Sequence, residues 1–154
     1  KSVKVLDPAD WPEIKRPEVQ LVTHDDLADQ LERGAGDLTG PLQDKDNALV
    51  KFDKPFTFKR VVNRENQDVG FAGFNVAGND HTNVIMEGET SDGEKFEVKL
   101  SINYHMKEAN QIAFRDFLQA NQDKPIYYTG PLSWYNELVL GPYEFAGSLS
   151  LTAE

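Results

Sequence analysis

The chain has 154 residues, a length that suits one domain with a core of its own. Hydrophobic residues make up 39% and charged residues 27% of the chain, a composition that excludes a disordered or a membrane-embedded protein. The formal net charge of −10 disfavours broad nucleic-acid binding, because an acidic surface repels phosphates.

Three absences in the sequence bear on its chemistry and its location. Cysteine is absent, which excludes disulfides, thiolate metal sites and a cysteine nucleophile. No stretch approaches the roughly 18 apolar residues that cross a bilayer, so we expect a soluble chain without membrane insertion. The first residues carry no apolar run typical of a signal peptide, which favours a cytoplasmic location. Because the chain begins with Lys1 instead of Met, a cleaved leader is not excluded and the compartment stays unknown.

Residues 1–46 are predicted to form an N-terminal arm with one short helix. Early prolines disfavour regular structure, and alternation over residues 18–23 predicts a short strand. A helix follows, because Thr23 or Asp25 can cap its start and Gly34 can end it. Residues 34–46 are predicted to be a loop.

Residues 47–154 are predicted to form an antiparallel β-barrel domain with one helix. A break is expected at Pro55, and Ser91-Asp92-Gly93 is typical of a hairpin turn. The short turns leave no room for parallel crossovers, so we expect a mainly β, antiparallel fold. Alternating apolar residues predict strands over 50–62, 69–76, 82–90, 96–106, 126–129, 134–140 and 143–152, and a helical pattern covers about 107–121.

The order of these elements resembles the oligonucleotide/oligosaccharide-binding barrel (OB-fold) when residues 50–76 form one long bent strand. The helix then stands between the third and fourth core strands, and the resemblance, in topology alone, covers about two thirds of the chain. It implies a ligand face on the second and third strands, at residues 82–90 and 95–104. A β-sandwich or a lipocalin-like barrel fits the same strands.

The sequence carries no recognisable catalytic signature. The three histidines, His24, His81 and His105, are far apart and lack the spacing of a metal site, and no G-x-S-x-G elbow is present. A catalytic pair among the many carboxylates stays open, although solvated strand faces explain them more simply. We therefore expect a non-enzymatic protein with no cofactor and no metal.

Two groups of residues are candidates for binding. Residues 47–64 form a basic island within an acidic chain, and the last strands are rich in aromatic residues, some of which alternation directs outward. Aromatics that plug an open barrel end are the alternative interpretation of the second group. The candidate binding residues are Lys59, Arg60, Arg64, Tyr127, Tyr128, Trp134 and Tyr135.

Three functions fit these features. The first is a binding or adaptor domain that recognises a protein partner through exposed aromatics on an acidic surface. The second is single-stranded nucleic-acid binding, in which the basic island contacts phosphates and the aromatics stack on bases. The third is a small-ligand-binding barrel that holds its ligand inside. The identity of the partner and the oligomeric state stay open.

Overall fold

The structure, a computed structural model, describes residues 18–34, 39–76, 78, 81–135 and 137–153. These residues form a mainly β fold with two α-helices and eight strands in one mixed sheet. In chain order the elements are β1 (Gln20–Val22), α1 (His24–Arg33), β2 (Leu49–Phe52), β3 (Thr57–Val62), β4 (Thr82–Glu89), β5 (Lys95–Ile102), α2 (Glu108–Ala120), β6 (Tyr127–Tyr135), β7 (Glu137–Leu140) and β8 (Leu149–Ser150).

The sheet has the strand order β1-β2-β6-β7-β5-β4-β3, and β8 pairs with β6. Two pairs, β1 with β2 and β5 with β7, are parallel, so the prediction of a purely antiparallel sheet is wrong. The chain between the partners explains this: α1 lies between β1 and β2, and α2 with β6 lies between β5 and β7, which gives room for a crossover. The sheet is not closed, since β1 and β3 stand at its ends, and the barrel stays a prediction.

The beginning of the described chain folds as its sequence predicts. The Oγ1 of Thr23 accepts a hydrogen bond from the Asp26 amide at 3.1 Å, and α1 ends at Gly34, whose φ is 90°. Residues 1–17 and 35–38, a large part of the predicted arm, lie outside the described residues. The division of the chain at residue 46 therefore stays a prediction.

The predicted strands 50–62 and 69–76 have different outcomes. The first is divided into β2 and β3, with the expected break around Pro55. The second is not a strand: Phe71–Gly73 form a 3-10 turn. Asp68 Oδ1 accepts the Gly70 amide hydrogen bond at 3.1 Å, and Gly70 has a φ of 63°, which turns the chain away from an extended path.

The β4–β5 hairpin is confirmed, and Gly93 takes the positive φ of 86° that its turn requires. However, β5 ends at Ile102, earlier than the predicted residue 106. Asn103 Oδ1 accepts a hydrogen bond from the His105 amide at 2.7 Å, and the Met106 amide donates to the Asn103 carbonyl oxygen at 3.0 Å. This side-chain turn ends the strand before α2.

The predicted interruption between the strands 126–129 and 134–140 is wrong, because β6 runs through Gly130 and Pro131. The Pro131 carbonyl oxygen accepts hydrogen bonds from the Gly141 amide at 3.0 Å and from the Tyr128 hydroxyl at 2.7 Å. These bonds hold the proline within the strand. The last predicted strand, 143–152, is reduced to the two residues of β8.

The core lies on one face of the sheet, against α2. Leu100, Phe114 and Leu118 are completely buried there, together with most inward residues of β4 and β5. Outside the named strands, two backbone hydrogen bonds of 2.7 Å join Phe56 to Ile126. Neither described helix is long and apolar enough to span a membrane.

Candidate functional site: a polar cleft on the outer face of the sheet

A cleft of about 730 Å³ lies on the face of the sheet opposite the core. The register of β4 and β5 pairs Asn83 with Ser101, and Asn103 follows two residues later on the same side. On the neighbouring strands the register pairs Ser133 with Val139. The cleft floor is therefore built from four short polar side chains and one valine contributed by four strand regions.

Alternation explains why these polar residues point outward. Their neighbours Val84 and Leu100 are completely buried, so Asn83 and Ser101 must face the other way. In the described part of the chain, the side chains of Asn83, Ser101 and Ser133 make no hydrogen bond. Three partly buried polar groups on the cleft floor are thus available to a ligand or to water.

One wall of the cleft comes from the turn after β5. The ring of Tyr104 packs edge-on against His81 with 5.1 Å between centroids, and it lies 4.0 Å from the ring of His105. The hydrogen bond from the His105 amide to Asn103 fixes this turn. The same turn therefore holds both the Asn103 side-chain amide on the cleft floor and the aromatic wall.

The opposite wall is the segment after β7. A Cβ added to Gly141 would lie 3.1 Å from the Ser133 Cβ, so glycine allows this segment to approach the cleft floor closely. Pro142 is buried, whereas 69% of Tyr143 is exposed at the rim. Tyr143 is the exposed aromatic among the side chains that the structure describes.

The charges around the cleft nearly cancel. Arg64 and Glu137 line it, and the Glu137 carboxylate is 2.8 Å from the Nζ of Lys99. Asn47, which also lines the cleft, is neutral. The lining therefore lacks the excess of one sign that a strongly charged ligand requires.

The predicted basic residues Lys59 and Arg60 both lie beside the facing carboxylates Glu87 and Glu97, whereas Arg64 does not. Lys59 Nζ is 3.6 Å from Glu87, and Arg60 makes two hydrogen bonds of 2.9 Å with Glu97. The guanidinium of Arg60 holds the pKa of the Glu97 carboxyl below its usual range. Arg64 lines the cleft, whereas Lys59 and Arg60 do not.

Three of the four predicted aromatic residues, Tyr127, Tyr128 and Trp134, lie outside the cleft lining. Tyr128 is 2% exposed and belongs to the core, so it cannot offer a surface contact, and burial raises the pKa of its hydroxyl well above the usual value. Tyr127 is half-buried. Trp134 packs against the core, and its buried Nε1 has no hydrogen-bond partner among the described groups. Tyr135 belongs to β6, but its side chain lies outside the described residues.

The sequence reasoning missed the neutral floor of the cleft. A signal for it exists in β5 and the first residue after it, where the outward residues change from the charged Glu97 and Lys99 to the neutral Ser101 and Asn103. A local change from charged to neutral polar residues on the solvent-exposed face of a strand can indicate a binding site. The meeting of this segment with Ser133 depends on the β5–β7–β6 order, which alternation alone does not give.

The chemistry of the cleft is that of hydrogen bonding. Within residues covered by the structure, no group of three or more histidine or carboxylate side chains is placed to hold a metal ion. Neither Ser101 nor Ser133 is hydrogen-bonded to a histidine in that part of the chain. The chain matches no protein family, no curated protein and no solved structure.

Proposed function

We propose that the chain is a non-enzymatic binding domain and that the outer-face cleft is its binding site. The observation that carries this proposal is the set of uncommitted polar side chains on the cleft floor, Asn83, Ser101 and Ser133. Small-ligand sites combine a concave surface with a few convergent polar groups and occupy about 300–1,000 Å³. The cleft, at about 730 Å³, fits this description.

The position of the cleft in the sheet supports the same proposal. Asn83, Ser101 and Asn103 fall within residues 82–90 and 95–104, the ligand face that the topological resemblance implies. The Phe56–Ile126 hydrogen bonds favour a barrel-like arrangement, which we retain as part of the proposal. The ligand, however, would bind on the outer face and not inside a barrel.

The test is a nuclear magnetic resonance screen of the isotope-labelled chain against a library of neutral, anionic and cationic small molecules. We expect ligand-induced shifts at Asn83, Ser101, Asn103 and Ser133. A Ser101→Phe variant should lose these shifts because the ring fills the floor. Thr57→Phe, at an exposed position outside the cleft, is the matched control. Shifts that cluster elsewhere, or no shifts with any compound, would overturn the proposal.

Recognition of a protein partner is the second candidate. Tyr143 supports it, since an aromatic ring that is 69% exposed can anchor an interface. The net charge of −10 would steer a basic partner toward the chain. Pull-down experiments at low and high salt with Tyr143→Ala test this candidate. Partners that bind the variant as well as the wild type would exclude Tyr143 as the anchor.

Single-stranded nucleic-acid binding receives less support from the geometry. Lys59 and Arg60 form ion pairs with Glu87 and Glu97. A nucleic acid would have to break these ion pairs, and the cost would reduce the affinity gained from its phosphates. A fluorescence titration of the tryptophans with short oligonucleotides tests this alternative. Salt-dependent quenching would revive it.

A further inference from the structure

We infer that the ligand of the cleft is a neutral, hydroxyl-rich molecule of the carbohydrate class, an inference that rests on the proposed function. The cleft floor offers amide and hydroxyl groups from Asn83, Ser101, Asn103 and Ser133. Each of these groups both donates and accepts hydrogen bonds. The hydroxyls of a sugar also donate and accept hydrogen bonds, so each of them can pair with a floor group either as donor or as acceptor.

An apolar ligand does not fit this floor. It would remove water from Asn83, Ser101 and Ser133 without replacing the lost hydrogen bonds. A buried polar group left without a partner opposes binding. The floor chemistry therefore selects for a polar ligand.

A peptide that binds by strand addition does not fit either. The strands under the cleft, β4, β5, β6 and β7, are interior strands of the sheet, each with a neighbouring strand on both sides. Strand addition requires a free edge with unpaired backbone groups. The cleft presents side chains and not a free backbone edge.

The charges disfavour an anionic ligand. The lining holds one cationic side chain, Arg64, and one carboxylate, Glu137, which pairs with Lys99, and the whole chain carries a net charge of −10. A phosphate or carboxylate ligand would enter a negative overall field with little local compensation. A neutral ligand avoids this electrostatic cost.

The rim supplies a surface for the apolar face of a sugar ring. Tyr143 is 69% exposed and makes no ring contact or hydrogen bond with the described residues. An aromatic ring can pack against the carbon-bound hydrogens of a sugar while neighbouring amides bind its hydroxyls. Tyr143, Asn83 and Ser101 line the same cleft and together provide both elements.

The experiment probes the full chain on a glycan array with neutral and acidic glycans, followed by resonance mapping of each hit. Two further probes are a neutral tripeptide amide and an oligothymidylate of six nucleotides. We expect neutral glycans to bind and to shift Asn83, Ser101 and Ser133. Acidic glycans of the same length should bind more weakly.

Variants separate the contributions of the floor and the rim. Asn83→Ala should weaken glycan binding about tenfold, since it removes hydrogen bonds to the ligand. Tyr143→Ala should weaken it at least about fivefold, whereas Tyr143→Phe, which keeps the ring, should retain most of the affinity. Thr57→Ala, outside the cleft, should bind as the wild type does. Circular dichroism checks that each variant is folded.

The outcomes distinguish the two proposals. Neutral glycans that shift the cleft residues support both. If the peptide, the oligonucleotide or acidic glycans shift the cleft residues and neutral glycans do not, the ligand class is wrong and the proposed function stands. If no array glycan and neither further probe shifts the cleft residues, the inference is overturned, and failure of the small-molecule screen as well would overturn the proposed function.

Discussion

The Nδ1 of His24 lies 3.2 Å from the carbonyl oxygen and 3.3 Å from the amide nitrogen of Glu89. This contact joins the first turn of α1 to the end of β4. His24 is 1% exposed, its Nε2 is buried with no hydrogen-bond partner among the described groups, and its ring packs against Phe52, Phe56 and Phe96. The surroundings of the imidazole are thus largely apolar, and they favour its neutral form.

The free energy of unfolding should decrease as the pH falls below about 6.5, the usual pKa of histidine. Burial lowers the pKa of His24, and the nearby Asp53 opposes this shift only in part. In this range the unfolded chain binds a proton that folded His24 does not. The slope attributable to His24 is at most about 1.4 kcal/mol per pH unit, and its contribution is constant above that range.

Urea unfolding at pH 7 and pH 5 measures this effect. His24→Gln should show a smaller loss of stability between the two pH values than the wild type. His105→Gln, which removes an exposed histidine, is the control and should keep the wild-type difference. Equal losses in His24→Gln and the wild type would contradict the assignment.

Gly88→Ala should destabilise the same region. A Cβ at residue 88 would lie 2.5 Å from Phe96 Cζ and 3.0 Å from His24 Cε1, so the rings must move. Overpacking of this kind costs about 1–3 kcal/mol. Glu89→Ala, an exposed position on the same strand, is the control. A variant as stable as the wild type would show that Phe96 can move without cost.

Tyr128→Phe should lower the free energy of unfolding by about 1 kcal/mol, because it removes a buried hydrogen bond. The cost stays moderate since the Pro131 carbonyl oxygen keeps its bond from the Gly141 amide. Tyr127→Phe is the matched control, as its hydroxyl makes no hydrogen bond in the described part of the chain. Urea titrations compare the three proteins. If Tyr128→Phe lost ligand binding while its stability stayed unchanged, Tyr128 would have a role in binding and not in stability.

Arg60→Gln should change stability by less than about 1 kcal/mol, even though its two hydrogen bonds to Glu97 are short. The side chains of Arg60 and Glu97 are 37% and 44% exposed, so water and salt screen their attraction. Thermal unfolding at low and high salt measures the difference, which should shrink at high salt. A large, salt-independent loss would indicate that the pair has a structural role beyond its charge.

Local patterns predicted much of the fold. The caps at Thr23 and Gly34 and the hairpin at Gly93 depend on neighbouring residues, and the structure confirms them. The strand predicted over 69–76 failed because Gly70 and Asp68 form a turn that overrides alternation. The parallel β5–β7 pair was missed because strand order depends on long-range packing, which periodicity does not report.

The candidate site was less predictable than the fold. Alternation did not decide which of Tyr127 and Tyr128 faces inward, and it could not rank Tyr143 above the other aromatics, since exposure depends on the surrounding chain. The pairing of Lys59 with Glu87 and of Arg60 with Glu97 joins residues that are distant in sequence. Arg64 is the predicted basic residue that lines the cleft.

Soaking crystals of the full chain with a fragment library of small polyols and neutral sugars tests the central claim most directly. The account predicts fragment density in the cleft, with hydroxyl groups within hydrogen-bonding distance of Asn83, Ser101 or Ser133. Fragments that bind reproducibly at other surfaces while these three side chains contact nothing but water would contradict it.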